Sequence, residues 1–290
     1  MTDTADALNN EVKSWLGRSV ENRDVVTLSP LVRMSAWLDR HDPEPKLGDP
    51  VPPGWHLLFF LIATPQSKLW HDGGNPRVDI QPRNPFHGAG ARAMWVGCRN
   101  TFHVPLRLGD SIRRVASISK ATVKEGRNGR MAFVTIRDEI FGPQGLALTE
   151  EMDLVNLEKQ GGPPPAQPRP ADPVWKRSVV ADPPLLFCFS ALSYNSHRIH
   201  YDYPYTTQCE GYPRLLVTGP IQAVMLLDLA RRNDSRPIVE FSCRAMHPLY
   251  EGGTFTLEGV PASDNKSATV WTCNAEGVVC MTAEVKFASR

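Results

Sequence analysis

The chain has 290 residues and a mass of 32.3 kDa, with 32 Lys and Arg against 31 Asp and Glu, 41% hydrophobic and 22% charged residues. That is the composition of a globular protein of about two domains, and a net charge of +1 with a pI near 7.7 excludes the strongly basic face of a nucleic-acid binder. The 26 prolines, dispersed along the chain, exclude a helical bundle, because each removes a backbone donor and clashes with the preceding turn.

Residues 1–12 are polar and acidic, so they offer no apolar stretch for a signal peptide and no transit sequence. The longest apolar run, residues 55–63, falls far short of the roughly 20 residues that span a bilayer. Cys98, Cys188, Cys209, Cys243, Cys273 and Cys280 form no C-x-x-C pair and have no His at finger spacing. The expectation is a cytoplasmic protein of a reducing compartment, not membrane-bound and with no metal site.

The first half opens its apolar run with Pro53-Gly-Trp-His-Leu-Leu-Phe-Phe-Leu-Ile62, which reads as a helix. Residues 64–90, rich in Pro, Gly and His, read as a long loop insertion near a site. Pro105-Leu-Arg-Leu-Gly-Asp110 then precedes two strands, residues 111–123 and 130–140, hinged at Arg127-Asn-Gly-Arg130, a hairpin signal. Residues 160–173, Gln-Gly-Gly-Pro-Pro-Pro-Ala-Gln-Pro-Arg-Pro-Ala-Asp-Pro, form a semi-rigid spacer.

The second half begins with the densest group of functional side chains in the chain: Asn195, His197, Arg198, His200, Tyr201 and Asp202. Residues 219–232 follow as a buried helix, with Pro220 near its start and Arg231 and Arg232 at its end. Strands are expected at 238–245, 253–260, 269–275 and 278–287, the last two joined at Glu276-Gly277. Pro248-Leu-Tyr-Glu-Gly-Gly253 repeats the Pro-Leu-x-x-Gly of the first half in the same place in the element order. A central spacer between two such series points to a duplicated domain, each copy a long helix with a meandering antiparallel sheet. The division is residues 1–158, a linker at 159–173, and residues 174–290.

Asn195-Ser-His-Arg-Ile-His200-Tyr-Asp, Gly211-Tyr-Pro and Thr218-Gly-Pro-Ile-Gln-Ala223 resemble the MaoC-like, type 2 enoyl-thioester hydratase and dehydratase family. Trp15-Leu-Gly-Arg18, Pro52-Pro-Gly-Trp-His56, Arg92-Ala-Met-Trp95 and Pro105-Leu-Arg-Leu-Gly-Asp110 resemble the dehydratase-like N-terminal domain of its itaconyl-CoA/mesaconyl-C4-CoA hydratase and 3-hydroxyacyl-thioester dehydratase branch. The resemblance covers almost the whole chain and implies an α+β double hot dog, in agreement with the duplication. It also implies an acyl-CoA substrate, a hydro-lyase activity and no cofactor.

Adding water across a double bond conjugated to a thioester needs a base for the water, an acid at Cα and donors for the enolate oxygen. His200 has the side chain suited to exchange a proton near neutral pH, its ordinary pKa being about 6.5. Asn195 stands where an Asp is common in the wider family. An amide exchanges no proton, so it would orient the water or the imidazole. Gly219, by the family's logic, offers its N–H to the thioester carbonyl, and the same position suits a simple helix-cap glycine. Thr218 replaces a His common in relatives.

Asp202 is a secondary candidate, and His197 and Arg198 either serve structure or meet the acyl end. The first half lacks an equivalent cluster, its stretch at 31–39 having neither the Asn nor the His. One active site per chain is therefore expected, with His56, Trp55, Arg92 and Trp95 as candidate walls of an acyl tunnel. Arg92 or Arg198 would meet a dicarboxylic acyl end. Lys124, Arg127 and Arg130 either meet coenzyme A phosphates or form a solvated hairpin. A thioesterase and a non-catalytic acyl-thioester binding protein are the alternatives. A double hot dog already contains the usual paired unit, so monomer and homodimer are both open.

Overall fold

The computed structural model describes residues 2–74, 80, 84–86, 91–126, 129–159, 161–162 and 164–289. In chain order these form α1 (Thr2–Lys13), β1 (Ser19–Val25), α2 (Leu28–Trp37), β2 (Arg92–Phe102), β3 (Ser111–Gly126), β4 (Gly129–Gly142), β5 (Gly145–Leu157), β6 (Trp175–Ala181), α3 (Pro183–Leu192), α4 (Gly219–Asn233), β7 (Ile238–Ala245), β8 (Gly253–Pro261), β9 (Ser267–Cys273) and β10 (Val279–Phe287). The strands make one antiparallel sheet in the order β1-β3-β4-β5-β2-β7-β10-β9-β8-β6. Read from either edge inward, that order gives the same series of parts, so the duplication is built into the sheet.

The repeated Pro-Leu-x-x-Gly motif does the same job twice. Val51 N–H donates to Leu106 O at 2.7 Å and Val217 N–H donates to Leu249 O at 2.8 Å. The third motif residue bridges in each half, Arg107 to Pro50 and Tyr250 to Leu216. The halves join where β2 pairs β7, from Gly97 opposite Arg244 to Thr101 opposite Glu240. Glycine is required at 97, because a Cβ there would overlap the Cys243 carbonyl oxygen. Cys98 and Cys243 face each other across this seam as free thiols, 3.4 Å apart.

The second half contains the expected long helix. The Thr218 hydroxyl caps α4 by accepting from Ile221 N–H at 3.1 Å, and residues 221–230 are all buried. Asp228 is wholly buried among them and is met by Arg40 at 2.7 Å and Arg232 at 2.6 Å. A buried carboxylate costs far less when paired in this way. Arg232 also reaches Leu38 O at 2.8 Å, so the pair ties the end of α4 to the end of α2.

The first half departs from expectation. Its apolar run forms no long helix but one 3-10 turn, Trp55–Leu58. Pro52-Pro53 stands where the second half has Thr218-Gly219, so the capping hydroxyl and both backbone N–H groups are missing. Gly54 at φ +86° and Phe60 at φ +58° then break the chain on either side, the latter held by Phe60 N–H donating to Asp24 at 2.7 Å. The 64–90 insertion follows, with residues 75–79, 81–83 and 87–90 outside the described set. Leu57, Phe59, Phe60, Leu61 and Ile62 of this broken run line a cavity instead. No helix among the described residues is long and apolar enough to cross a membrane.

Candidate active site

A cavity of about 350 Å³ lies between α4 and the inner face of the first half's sheet. Pro220, Ala223, Val224 and Leu227 line it from one stripe of α4, spaced i, i+3, i+4, i+7. Leu57, Phe59, Phe60, Phe189 and Phe241 add apolar wall.

Asn195 opens on the cavity just beyond α3. Its N–H donates to Ser190 O at 2.8 Å, and its Oδ1 accepts the His197 N–H at 3.1 Å. Only an oxygen satisfies a backbone N–H, so the amide –NH2 is the group left to donate elsewhere.

His200, five residues on, lies in the 3-10 turn Arg198–His200 and is buried. Its Nδ1 is 2.9 Å from Leu216 O, three residues before Gly219. A carbonyl only accepts, so Nδ1 carries the proton and Nε2 the lone pair. Burial first, then the neighbouring His197, lowers its pKa to about 3. The imidazole is therefore neutral, and well below the ordinary value assumed from sequence. His200 is not part of the cavity wall itself, whereas Asn195 is.

His197 stands edge-on to His200, ring centroids 5.4 Å apart at 89°. Gly219 opens α4, whose first N–H groups have no intrahelical acceptor. Trp95, a cavity wall residue, lies against it, and a Cβ at position 219 would overlap the indole. Gly219→Ala is thus expected to displace Trp95 or the helix start, at about 1–3 kcal/mol of overpacking. Thermal melts and kcat should both fall in the single variant and recover in part with Trp95→Ala added.

The remaining candidates go elsewhere. Arg198 meets Asp202 at 2.8 Å and covers the Tyr205 ring at 3.9 Å. Asp202 accepts Tyr205 N–H at 3.1 Å, and this bond with Arg198 holds its carboxyl below the usual range. The two clamp the turn that leaves the 195–200 loop, and Asp202 stays an anion with no proton to give. Arg92 is fixed by Glu210, at 2.8 Å to its carboxylate and 2.7 Å to its carbonyl. Neither arginine faces the cavity.

Trp55 is buried beneath Arg231, 5.6 Å from its ring, while His56 does line the cavity. Arg130 pairs with Glu158 at 2.8 Å and Lys124 lies over Phe133; Arg127 falls outside the described residues.

A polar end of the cavity had not been foreseen. Asn100, Arg114, Asp138 and Glu150 join His56 in its wall, on β2, β3, β4 and β5. Arg114 donates to Asn22 at 3.0 Å and faces Asp138 at 3.9 Å, and His56 faces Glu150 at 3.5 Å. Positions 112, 114, 116 and 118 are all buried, as are 132, 134, 136, 138 and 140. A charge in the inward phase of each strand was thus the signal available in the sequence. Among the described residues no group of three or more His, Cys, Asp or Glu is gathered to hold a metal.

A family model described as hydroxyacyl-thioester dehydratase type 2 matches residues 54–251. The chain is 41% identical over 254 residues to a mesaconyl-C(4)-CoA hydratase of Chloroflexus aurantiacus, covering 87% of this chain and 89% of that one. Among solved structures it is similar to a MaoC-like dehydratase of Phytophthora capsici, with TM-score 0.69 and 12% identity over 99% of each chain. It is also similar to a Mycobacterium tuberculosis protein with a double hotdog fold, with TM-score 0.58 and 14% identity over 93% of this chain and 96% of that one. The α+β double hot dog expected from the sequence is the fold of this chain, with the central helix reduced to a turn in the first half.

Proposed function

Because the chain belongs to the hydroxyacyl-thioester dehydratase type 2 family, and is thus a hydro-lyase of thioester substrates, we propose that it reversibly hydrates a short, branched enoyl-CoA bearing a second carboxylate. Mesaconyl- or itaconyl-CoA is the kind of substrate meant. What supports this reading is that Asn195 and Pro220, in the first turn of α4, both line the cavity, with the neutral imidazole of His200 buried on the same loop as Asn195.

The thioester carbonyl lies at the Gly219 N–H, where the helix dipole favours developing negative charge. Water sits between the Asn195 –NH2 and His200 Nε2. As its oxygen bonds to Cβ, its proton passes to His200, and the π electrons move onto the thioester oxygen as an enolate. The imidazolium is costly in so dry a site, and the enolate charge offsets it. The enolate then collapses as His200 returns the proton to Cα, so one base serves both steps. Dehydration runs the same path backward. Addition of water is redox-neutral overall, so no step calls on a redox cofactor.

The second carboxylate is read by Arg114, the arginine of the cavity wall. A charge-assisted hydrogen bond contributes about 1.5–3 kcal/mol. Arg114→Gln is therefore expected to raise KM for mesaconyl-CoA by roughly ten- to a hundredfold and to leave crotonyl-CoA, which lacks that carboxylate, unchanged.

Residues 1–158 and 174–290 are read as the two domains, the second carrying the chemistry, in a cytoplasmic monomer or homodimer. Loss of enoyl-thioester absorbance with mesaconyl-, itaconyl- and crotonyl-CoA tests the assignment. No turnover of any of the three refutes it.

A further inference from the structure

We infer that the catalytic loop of the second half is completed from the first half, with Asp72 as a positioning residue for His197 and, through it, for His200. This rests on the hydratase reading above. Residues 70–74 form a tight turn, closed by Gly73 N–H to Trp70 O at 2.8 Å and Trp70 N–H to Gly74 O at 3.1 Å.

Within the turn, Gly74 N–H donates to Asp72 Oδ1 at 2.7 Å. That bond fixes the carboxylate so that Oδ2 faces His197 Nε2 at 3.7 Å. The turn is seated on the catalytic loop by two more bonds: Asp72 O accepts Arg198 N–H at 2.8 Å, and Gly73 O accepts the Ser196 hydroxyl at 2.6 Å. Gly73, at φ +76°, approaches so closely that a Cβ would overlap Ser196 O. Three consecutive loop residues, 196 to 198, are thus each held by one first-half turn.

The consequence concerns His200. At 3.7 Å the carboxylate is too far for a hydrogen bond and acts on His197 through its charge, favouring a proton on the ring. His197 presents its ring to His200, edge to face, on a loop that the Asp72 and Gly73 carbonyls hold in place. The groups facing His197 are Asp72, Glu210, Arg92 and His200. Burial lowers its pKa, while Asp72 and Glu210 act to raise it and Arg92 to lower it. A charged His197 makes His200 harder to protonate, so Asp72 governs the pH at which the base is weakened.

Asp72→Asn keeps the Oδ1 acceptor for Gly74 and removes the charge. The acid limb of its kcat/KM profile is expected to move to lower pH, with an unchanged melting midpoint. Asp72→Ala is expected to lower kcat about tenfold with little change in KM, and Asp72→Asn to restore part of that loss. The C2–H proton resonance of His197, titrated in wild type and Asp72→Asn, should shift its midpoint downward in the variant. That titration needs no turnover, so an inactive wild type would count against the hydratase reading and leave this test standing. Unchanged titration and an unchanged acid limb in Asp72→Asn would overturn the role given to Asp72, as would an effect on KM alone.

Discussion

His200→Ala is expected to lower kcat for hydration by about a thousandfold, within the 10²–10⁴ contributed by a positioned acid–base group, while acyl-CoA binding is largely retained. Single-turnover kinetics with equilibrium binding separates the two quantities, and full activity in the variant would remove His200 from the mechanism. The same residue leaves a mark on stability. Its folded pKa of about 3 lies below the unfolded value of about 6.5, so its contribution is present above pH 6.5 and is lost as pH falls toward 3. Wild-type protein should therefore lose more of its thermal midpoint between pH 7.5 and 4.5 than His200→Gln does.

Asp228→Ala is expected to destabilise the chain by about 3–5 kcal/mol, the usual cost of removing one partner from a buried ion pair, or roughly 10 °C in melting midpoint. Arg40 and Arg232 both close on that carboxylate, and Arg177 and Arg231 stand 3.6 and 4.0 Å away. Removing it leaves four arginines crowded at the C-terminal end of α4. A midpoint within a degree of wild type would show that the cluster contributes nothing to the junction of α2 and α4.

The duplication was legible because turn chemistry repeats: the Pro-Leu-x-x-Gly motif makes the same backbone bonds in both halves, and proline punctuates the spacer. The strands with clean alternation, β3, β4 and β7 to β10, were legible for the same local reason. β5 was not, since Gly145–Leu157 carries Glu150, Glu151 and Asp153, charges that read as loop until paired. Arg99 on the neighbouring strand binds both Glu151 and Asp153, at 3.1 and 2.5 Å.

The missing first-half helix turned on Pro52-Pro53 and on the left-handed backbone of Gly54 and Phe60, where apolar content alone suggested a helix. Around the site, Asn195, His200 and Gly219 fall within 25 residues of the chain, on segments that resemble one family. Asp72 and Arg114 come from residues about 125 and 80 positions away, and only the folded chain brings them to the loop and the cavity. Arg198 and Asp202 stood out in the sequence as part of a charged cluster and Arg92 by resemblance; in the folded chain each is held in an ion pair.

The most direct test of the hydro-lyase account is product analysis after incubation with mesaconyl-CoA in ¹⁸O-labelled water. The account predicts an intact CoA thioester carrying one added water, with the label in a hydroxyl at Cβ and no free thiol released. Free coenzyme A with the label in a carboxylate would make the chain a thioesterase, and unlabelled substrate recovered from a protein that binds it would make it a non-catalytic binder; either result contradicts the account.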